Sequence, residues 1–209
     1  MDYCIEIYLK TGIAIYNSGE YHAAHGAWEM YWLKLEKGSE EKLFLQGLIQ
    51  FTAIIYHCIN KNWEGANGLS ESSLRYLKDL PDSYKGVDII LIKDYIKNLK
   101  EDINSFSEHK IPYISYEGAK MELEDLGVKA AFIAAMVISE EIETYDSEVI
   151  EEAIYHIEQH IEGKERGKIE KLIVVFVKNS ELRDLAYSQI KNRVEMIRNN
   201  EEVIEKLFN

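Results

Sequence analysis

The chain has 209 residues, of which 46% are hydrophobic and 29% are charged, and its formal net charge at pH 7 is -13. This composition is typical of a folded globular protein, and the length fits one large domain or one domain with an extension. The negative charge argues against nucleic acid and anionic membranes as partners, because both bind proteins through positive side chains.

The cysteines and the longest apolar run indicate where in the cell the protein is expected. Cys4 and Cys58 are far apart in the chain and have no zinc-type spacing, so we expect two reduced thiols in a cytoplasmic protein. The apolar run over residues 43–59 is interrupted by two glutamines and a histidine. We therefore predict no membrane span there.

Apolar residues recur at three- and four-residue steps along most of the chain, which is the period of amphipathic helices. In the first half this pattern predicts five helices, separated by glycine, asparagine and serine residues that favour turns and helix caps. The predicted helices cover about residues 2–16, 21–35, 40–60, 63–80 and 87–106.

The segment 107–116 contains Pro112 and several β-branched or aromatic residues, which fit an extended linker and a short strand equally well. Helical period returns after it and predicts four more helices, over about residues 120–144, 147–161, 165–178 and 180–207. The predicted fold class is all-α. We expect a helical bundle over residues 1–110 and an appended acidic helical region, an extension or a second small domain, over residues 111–209.

The appended region carries strongly apolar helical stripes, above all over residues 128–142. Exposed apolar surface of that size needs a cover. We therefore expect this region to pack on the bundle or to form a homodimer.

A polar stripe on the second predicted helix is one half of a candidate site. An α-helix advances about 100° per residue, so His22, His25 and Glu29 lie within a narrow arc of one face. Trp28 and Trp32 adjoin this arc on one side, and Trp28 is a candidate for contact with a substrate. If the protein is an enzyme, His25 is the candidate acid–base group or ligand and Glu29 its orienting or ligating partner.

A second polar stripe lies on the third predicted helix. Gln46, Gln50 and His57 share one face of a helix that is otherwise apolar and therefore belongs at the centre of a bundle. An unpartnered buried polar group costs about 1–3 kcal/mol, so these side chains need partners. The second helix is the nearest source, because a short turn makes the two helices antiparallel neighbours. We expect the three side chains to position a substrate or a water molecule.

Several interpretations of the two stripes stay open. They form a structural polar layer, or a binding or catalytic pocket. A third possibility is a divalent metal site, in a metal-dependent hydrolase-like enzyme, with His22, His25 and Glu29 as ligands and His57 added if the metal is zinc. A different class of function is an interaction or scaffold protein that acts through the acidic residues 111–209. The sequence identifies no reaction and no small-molecule ligand.

The same residues carry a resemblance to a known family. The segment Tyr21–Glu29, with Trp32, resembles the signature of the domain of unknown function 309 family, which has an aromatic residue, Ala-His-Glu, a second Glu and a Trp. Residues 46–50 and 56–69 are similar to the next two blocks of that family. The resemblance covers about residues 12–80 and implies a compact all-helical domain without a known activity. Residues 111–209 resemble no family that we recognise.

Three positions depart from the family pattern. Gly26 stands where the family usually has Glu, Ala23 where an acidic residue is common, and His22 where an aromatic residue is usual. The resemblance therefore carries over to His25, Glu29, Gln50 and His57, and it leaves out one or two carboxylates.

One further motif is the pair His156 and His160, spaced i, i+4. The Glu between them does not stand where zinc-protease motifs require it. We interpret the pair as solvated or at the boundary of an apolar stripe.

Overall fold

The computed structural model describes residues 4–108, 110–159 and 163–208. These residues form α-helices and four very short β-strands, so the predicted all-α class is confirmed. The chain divides into two compact units, Met1–Leu126 and Gly127–Asn209, called unit 1 and unit 2 below.

Unit 1 contains five helices in which neighbours in sequence are neighbours in space. α1 packs on α2, α2 on α3, α3 on α4, and α4 on α5. Short turns join the first four, which makes successive helices antiparallel. The helices are α1 (Ile5–Asn17), α2 (Tyr21–Trp32), α3 (Glu40–Ile59), α4 (Trp63–Leu77) and α5 (Ile89–Glu101).

α3 is the central helix of unit 1. It begins at an N-cap, where the Ser39 hydroxyl accepts a hydrogen bond from the backbone N–H of Lys42, and acidic residues occupy its first turn. Within the described residues it is the one helix long and apolar enough to span a membrane by composition, but 56% of its apolar window is buried in the protein. The core helix of a folded domain has the same features, so this helix is only weak support for a membrane span.

Two β-hairpins form a small antiparallel sheet in unit 1. Its strands β1 (Ser83–Tyr84), β2 (Val87–Asp88), β3 (Ser115–Tyr116) and β4 (Ala119–Lys120) lie in that order, with Val87 opposite Tyr116. Each hairpin turns through two residues with positive φ, Lys85-Gly86 and Glu117-Gly118, as type I′ turns require. The segment 107–116, which fitted both a linker and a strand, therefore ends in a strand.

The side chain of Asn17 holds this second hairpin to the end of α1. Its Nδ2 donates to the carbonyl oxygens of Ile114 and Met121, 2.9 Å away in both cases, and its Oδ1 accepts from the N–H of Ile114 at 2.8 Å. Residues 111–126 therefore belong to unit 1, and the division between the units falls after Leu126 rather than near residue 110.

Unit 2 contains the helices α6 (Val128–Glu141), α7 (Ser147–Gln159), α8 (Gly163–Lys178) and α9 (Arg183–Phe208). α6 is buried on nearly all sides and packs against α7 and α8. Most of the stripe over residues 128–142, which led us to expect packing on the bundle or a homodimer, is buried in the chain.

The interpretation of His156 as solvated or at a boundary is corrected by the structure. Its side chain is buried, because α7 buries a wide arc that includes Ala153 and Ile157. His156 Nε2 lies 3.5 Å from Glu152 Oε1, and Glu152 also accepts hydrogen bonds from Arg198. Those bonds, above all, lower the pKa of Glu152. His160 lies outside the described residues.

Candidate functional site

His25 and Glu29 lie one turn apart on the outer side of α2. His25 Nε2 is 3.7 Å from Glu29 Oε2, and the two side chains are 31% and 49% exposed. Burial lowers the pKa of His25, the nearby His22 lowers it further, and Glu29 and a hydrogen bond to the backbone of Ile49 act in the opposite direction. At neutral pH, His25 is therefore an uncharged imidazole that can donate one hydrogen bond and accept another.

This pair has the chemistry of an acid–base group with a supporting carboxylate. A neutral imidazole accepts a proton, and Glu29 at 3.7 Å favours the imidazolium that results. The catalytic role predicted for His25 and Glu29 stays a prediction, since the geometry alone identifies no reacting group.

Two polar atoms on α2 and α3 are shielded from solvent and lack a hydrogen-bond partner in the described part of the chain. One is Oε1 of Gln50, an acceptor on α3 next to Ile49. The other is Nε1 of Trp32, a donor at the end of α2. The Lys42 Nζ lies 4.2 Å from the centre of the Trp32 ring and donates to the carbonyl of Leu35. The Lys42 ammonium group therefore contacts the face of the Trp32 indole and leaves the indole N–H without a hydrogen bond to any described residue.

His57 is engaged in the turn between α3 and α4. Its Nδ1 lies 3.0 Å from Nδ2 of Asn62, the N-cap of α4, and its carbonyl oxygen accepts from the backbone N–H of Asn62. The ring of Tyr56 connects it to His22, with centroid distances of 6.2 and 5.9 Å. The structure thus places His57 with His22 at one end of α3. Gln46 is half-buried, one turn before Gln50 on α3.

Trp28 lies in the core and not beside the polar stripe, where the sequence put it as a candidate for substrate contact. It is 0% exposed, and its Nε1 donates to the carbonyl of Leu9 at 3.2 Å. The indole packs over Gly12, where any Cβ would come within 2.2 Å of it. Trp28 therefore joins α1 to α2.

The predicted metal ligands are not assembled in this conformation. Among residues 4–108, 110–159 and 163–208, no group of three or more His, Cys, Asp or Glu side chains is arranged to hold a metal ion. The rings of His22 and His25 are stacked, with centroids 6.1 Å apart and planes 13° from parallel. A metal ion binds in the plane of each imidazole ring, so stacked rings do not share one without rotating.

The comparison with known families gives a match over this region. Residues 9–69 match the family model Domain of unknown function (DUF309). The resemblance drawn from the sequence is thereby confirmed for this segment, which contains all of α2 and α3 and every predicted site residue. DUF309 carries no assigned activity, so the match identifies no specific reaction. No curated protein matches the chain significantly.

Sequence reasoning did not identify Lys42 as a member of the site. It placed Trp32 beside the polar stripe and in the family signature, but it named Trp28 as the candidate for substrate contact. Trp32 lies seven residues after His25 and so on the same face of α2, whereas Trp28 is turned toward α1.

Proposed function

We propose that unit 1 is a binding module whose site is the surface between α2 and α3, and that this site binds an uncharged group that both donates and accepts hydrogen bonds. We call this surface the α2–α3 face. It consists of His25, Glu29, Trp32, Lys42, Gln46 and Gln50.

The observation that carries the proposal is the pair of unpartnered atoms on this face. In the described residues, neither Gln50 Oε1 nor Trp32 Nε1 makes a hydrogen bond, and both are shielded from solvent. A polar atom shielded in this way costs about 1–3 kcal/mol until it is paired. Trp32 packs on Lys42 and so lies about eight residues, or roughly 12 Å, from Gln50 along α3. Bound groups that donate to Gln50 or accept from Trp32, after small side-chain rotations, recover that free energy at each atom.

The charges of the face favour an uncharged ligand. Glu29 and Lys42 carry its only formal charges at neutral pH, and these cancel, because His25 is neutral. Because the two charges have opposite signs, the face as a whole attracts neither anions nor cations. An amide group meets all three requirements, because it is neutral, donates through N–H and accepts through C=O.

The test is a titration of the ¹⁵N-labelled full chain with propionamide, followed by NMR at the Trp32 indole N–H and the Gln50 side-chain NH₂. We expect saturable shifts of both signals with a dissociation constant on the order of millimolar, as suits a ligand of so few atoms. Propionate and propylammonium, which match it in size but are charged, should cause much smaller shifts.

The matched variants are Gln50→Leu, which should abolish the propionamide shift at the backbone amide of residue 50, and Gln189→Leu on the exposed side of α9, which should leave all shifts unchanged. Shifts that are equal for the three probes, or that persist at residue 50 in Gln50→Leu, would contradict the proposal.

A further inference from the structure

Three tyrosines of unit 1, from three different helices, have their rings around Phe51 of α3. Tyr16 lies near the end of α1, Tyr21 is the first residue of α2, and Tyr95 lies in the middle of α5. The centroid of the Tyr16 ring is 5.1 Å from that of Tyr21 and 5.6 Å from that of Phe51, on which it stacks. The Tyr95 ring meets Phe51 edge-to-face at 6.0 Å. We call Tyr16, Tyr21 and Tyr95 the tyrosine cluster.

The hydroxyl of Tyr16 is the most buried polar group of the tyrosine cluster. Tyr16 is 2% exposed, its oxygen is shielded from solvent, and within the described residues it makes no hydrogen bond. A hydroxyl shielded in this way has lost its hydrogen bonds to bulk water, and this loss destabilises the fold unless another group replaces them. Phenylalanine would fill the same space without that cost, so the Tyr16 hydroxyl needs a partner.

The three phenols of the cluster are neutral and lie close enough to affect one another. Burial, above all, raises the pKa of Tyr16, and the nearby phenols of Tyr21 and Tyr95 raise it further. Burial also raises the pKa of Tyr21 and of Tyr95. At neutral pH each hydroxyl is therefore uncharged, and it can both donate and accept a hydrogen bond. Such a set suits a small neutral polar molecule and does not compensate a buried ion.

We propose that the tyrosine cluster binds a single buried water molecule, which bridges the hydroxyl of Tyr16 to those of Tyr21 and Tyr95. Buried waters typically make about three hydrogen bonds to polar groups of the protein, and three hydroxyls supply that number. Water is also the smallest molecule that both donates and accepts, which suits rings packed 5.1–6.0 Å apart. Tyr21 is only half-buried, so its side of the cluster is the route by which the water exchanges with solvent.

The bridging water joins α5 to the first two helices of unit 1. α5 packs mainly on α4. Tyr95 lies outside residues 9–69, which match DUF309, whereas Tyr16 and Tyr21 lie inside them. A water held by all three phenols therefore connects the DUF309 segment to a helix that follows it. This role does not depend on the α2–α3 face, so the inference and the proposed function stand or fall separately.

Tyr16→Phe in the full chain tests this inference, because it removes the hydroxyl and keeps the ring. In urea denaturation the variant should lower the equilibrium constant for folding about three- to tenfold, since a hydrogen-bonded hydroxyl is lost. The ¹⁷O magnetic relaxation dispersion of the solvent, which reports long-lived internal waters, should fall by the amplitude of one water molecule. Tyr113→Phe, at a side chain that is 55% exposed, is the matched control and should change neither measurement.

A Tyr16→Phe variant that is as stable as the wild type, or more stable, would overturn the inference, because the buried hydroxyl would then have no partner to lose. A less stable variant with unchanged relaxation dispersion would also overturn it, since the hydroxyl would then bond directly to another protein group. The double variant Tyr16→Phe, Tyr95→Phe should lose less stability than the sum of the two single losses, because both hydroxyls share one water. Fully additive losses would contradict the bridge.

Discussion

Replacing Gly12 with alanine should destabilise unit 1 strongly, although alanine is the better helix former. A Cβ at Gly12 lies 2.2 Å from Trp28 Nε1 and 2.4 Å from its Cε2, where ordinary contacts are 3.4–4 Å. The indole cannot move aside freely, because it is fully buried and its Nε1 is hydrogen-bonded to the carbonyl of Leu9.

The magnitude follows from three contributions. Overpacking of a core costs about 1–3 kcal/mol, and loss of the buried hydrogen bond of Trp28 costs about 1–3 kcal/mol. Alanine in place of glycine stabilises a helix by about 0.5–1 kcal/mol, which offsets part of this loss. The net loss for Gly12→Ala should be about 1–5 kcal/mol in the free energy of unfolding.

Urea denaturation followed by tryptophan fluorescence measures this value for unit 1 alone, because all three tryptophans of the chain lie within it. The matched control is Gly68→Ala in α4, where a Cβ meets nothing within 4 Å, and which should stabilise unit 1 by about 0.5–1 kcal/mol. If Gly12→Ala is as stable as the wild type, the tight packing of α1 on α2 described above is incorrect.

Three further predictions concern titration and the second hairpin. Because the folded-state pKa of His25 is lowered, its contribution to stability is complete above pH about 6.5 and is lost as the pH falls below that value. His25→Gln should therefore lose less stability than the wild type between pH 7 and 5, as measured by urea denaturation. Burial raises the pKa of Cys58 from 9.0 to about 11. The neutral thiol therefore makes its full contribution to the stability of the fold below about pH 9, and that contribution is lost as the pH rises through about 11. Over that range the wild type should lose about 2–3 kcal/mol more than Cys58→Ala, and equal losses would show that this thiol titrates normally. Asn17→Ala removes three hydrogen bonds to the second hairpin and should cost about 2–4 kcal/mol. Hydrogen exchange at the Ile114 amide checks it directly, and unchanged protection there would contradict the proposed role of Asn17.

The helices were predictable because their apolar periodicity is strong and their ends carry local signals. Ser39 and Asn62 cap α3 and α4 through their side chains, as such residues commonly do. The hairpins were missed because each strand has only two residues, too few for an alternating pattern. Their signal was in the turns, where Lys85-Gly86 and Glu117-Gly118 supply the two positive φ values.

The site was predictable in part. Helical spacing places His25 and Glu29 on one face, and the structure brings them within 3.7 Å. Spacing places Trp32 on the face of His25, seven residues earlier, but it does not tell which neighbouring helix each side of α2 meets. Only the structure shows that Trp28 packs on Gly12 of α1 and that Trp32 packs under Lys42 of α3. That distinction depends on contacts between helices, which a single sequence does not specify.

The most direct test of the binding role of the α2–α3 face is the chemical shift of the Trp32 indole N–H in the wild-type chain as propionamide is added. Our account predicts that this signal moves, as does the side-chain NH₂ of Gln50, while the indole signal of Trp63, at the start of α4, stays fixed. A Trp32 signal that propionamide does not move would contradict the account.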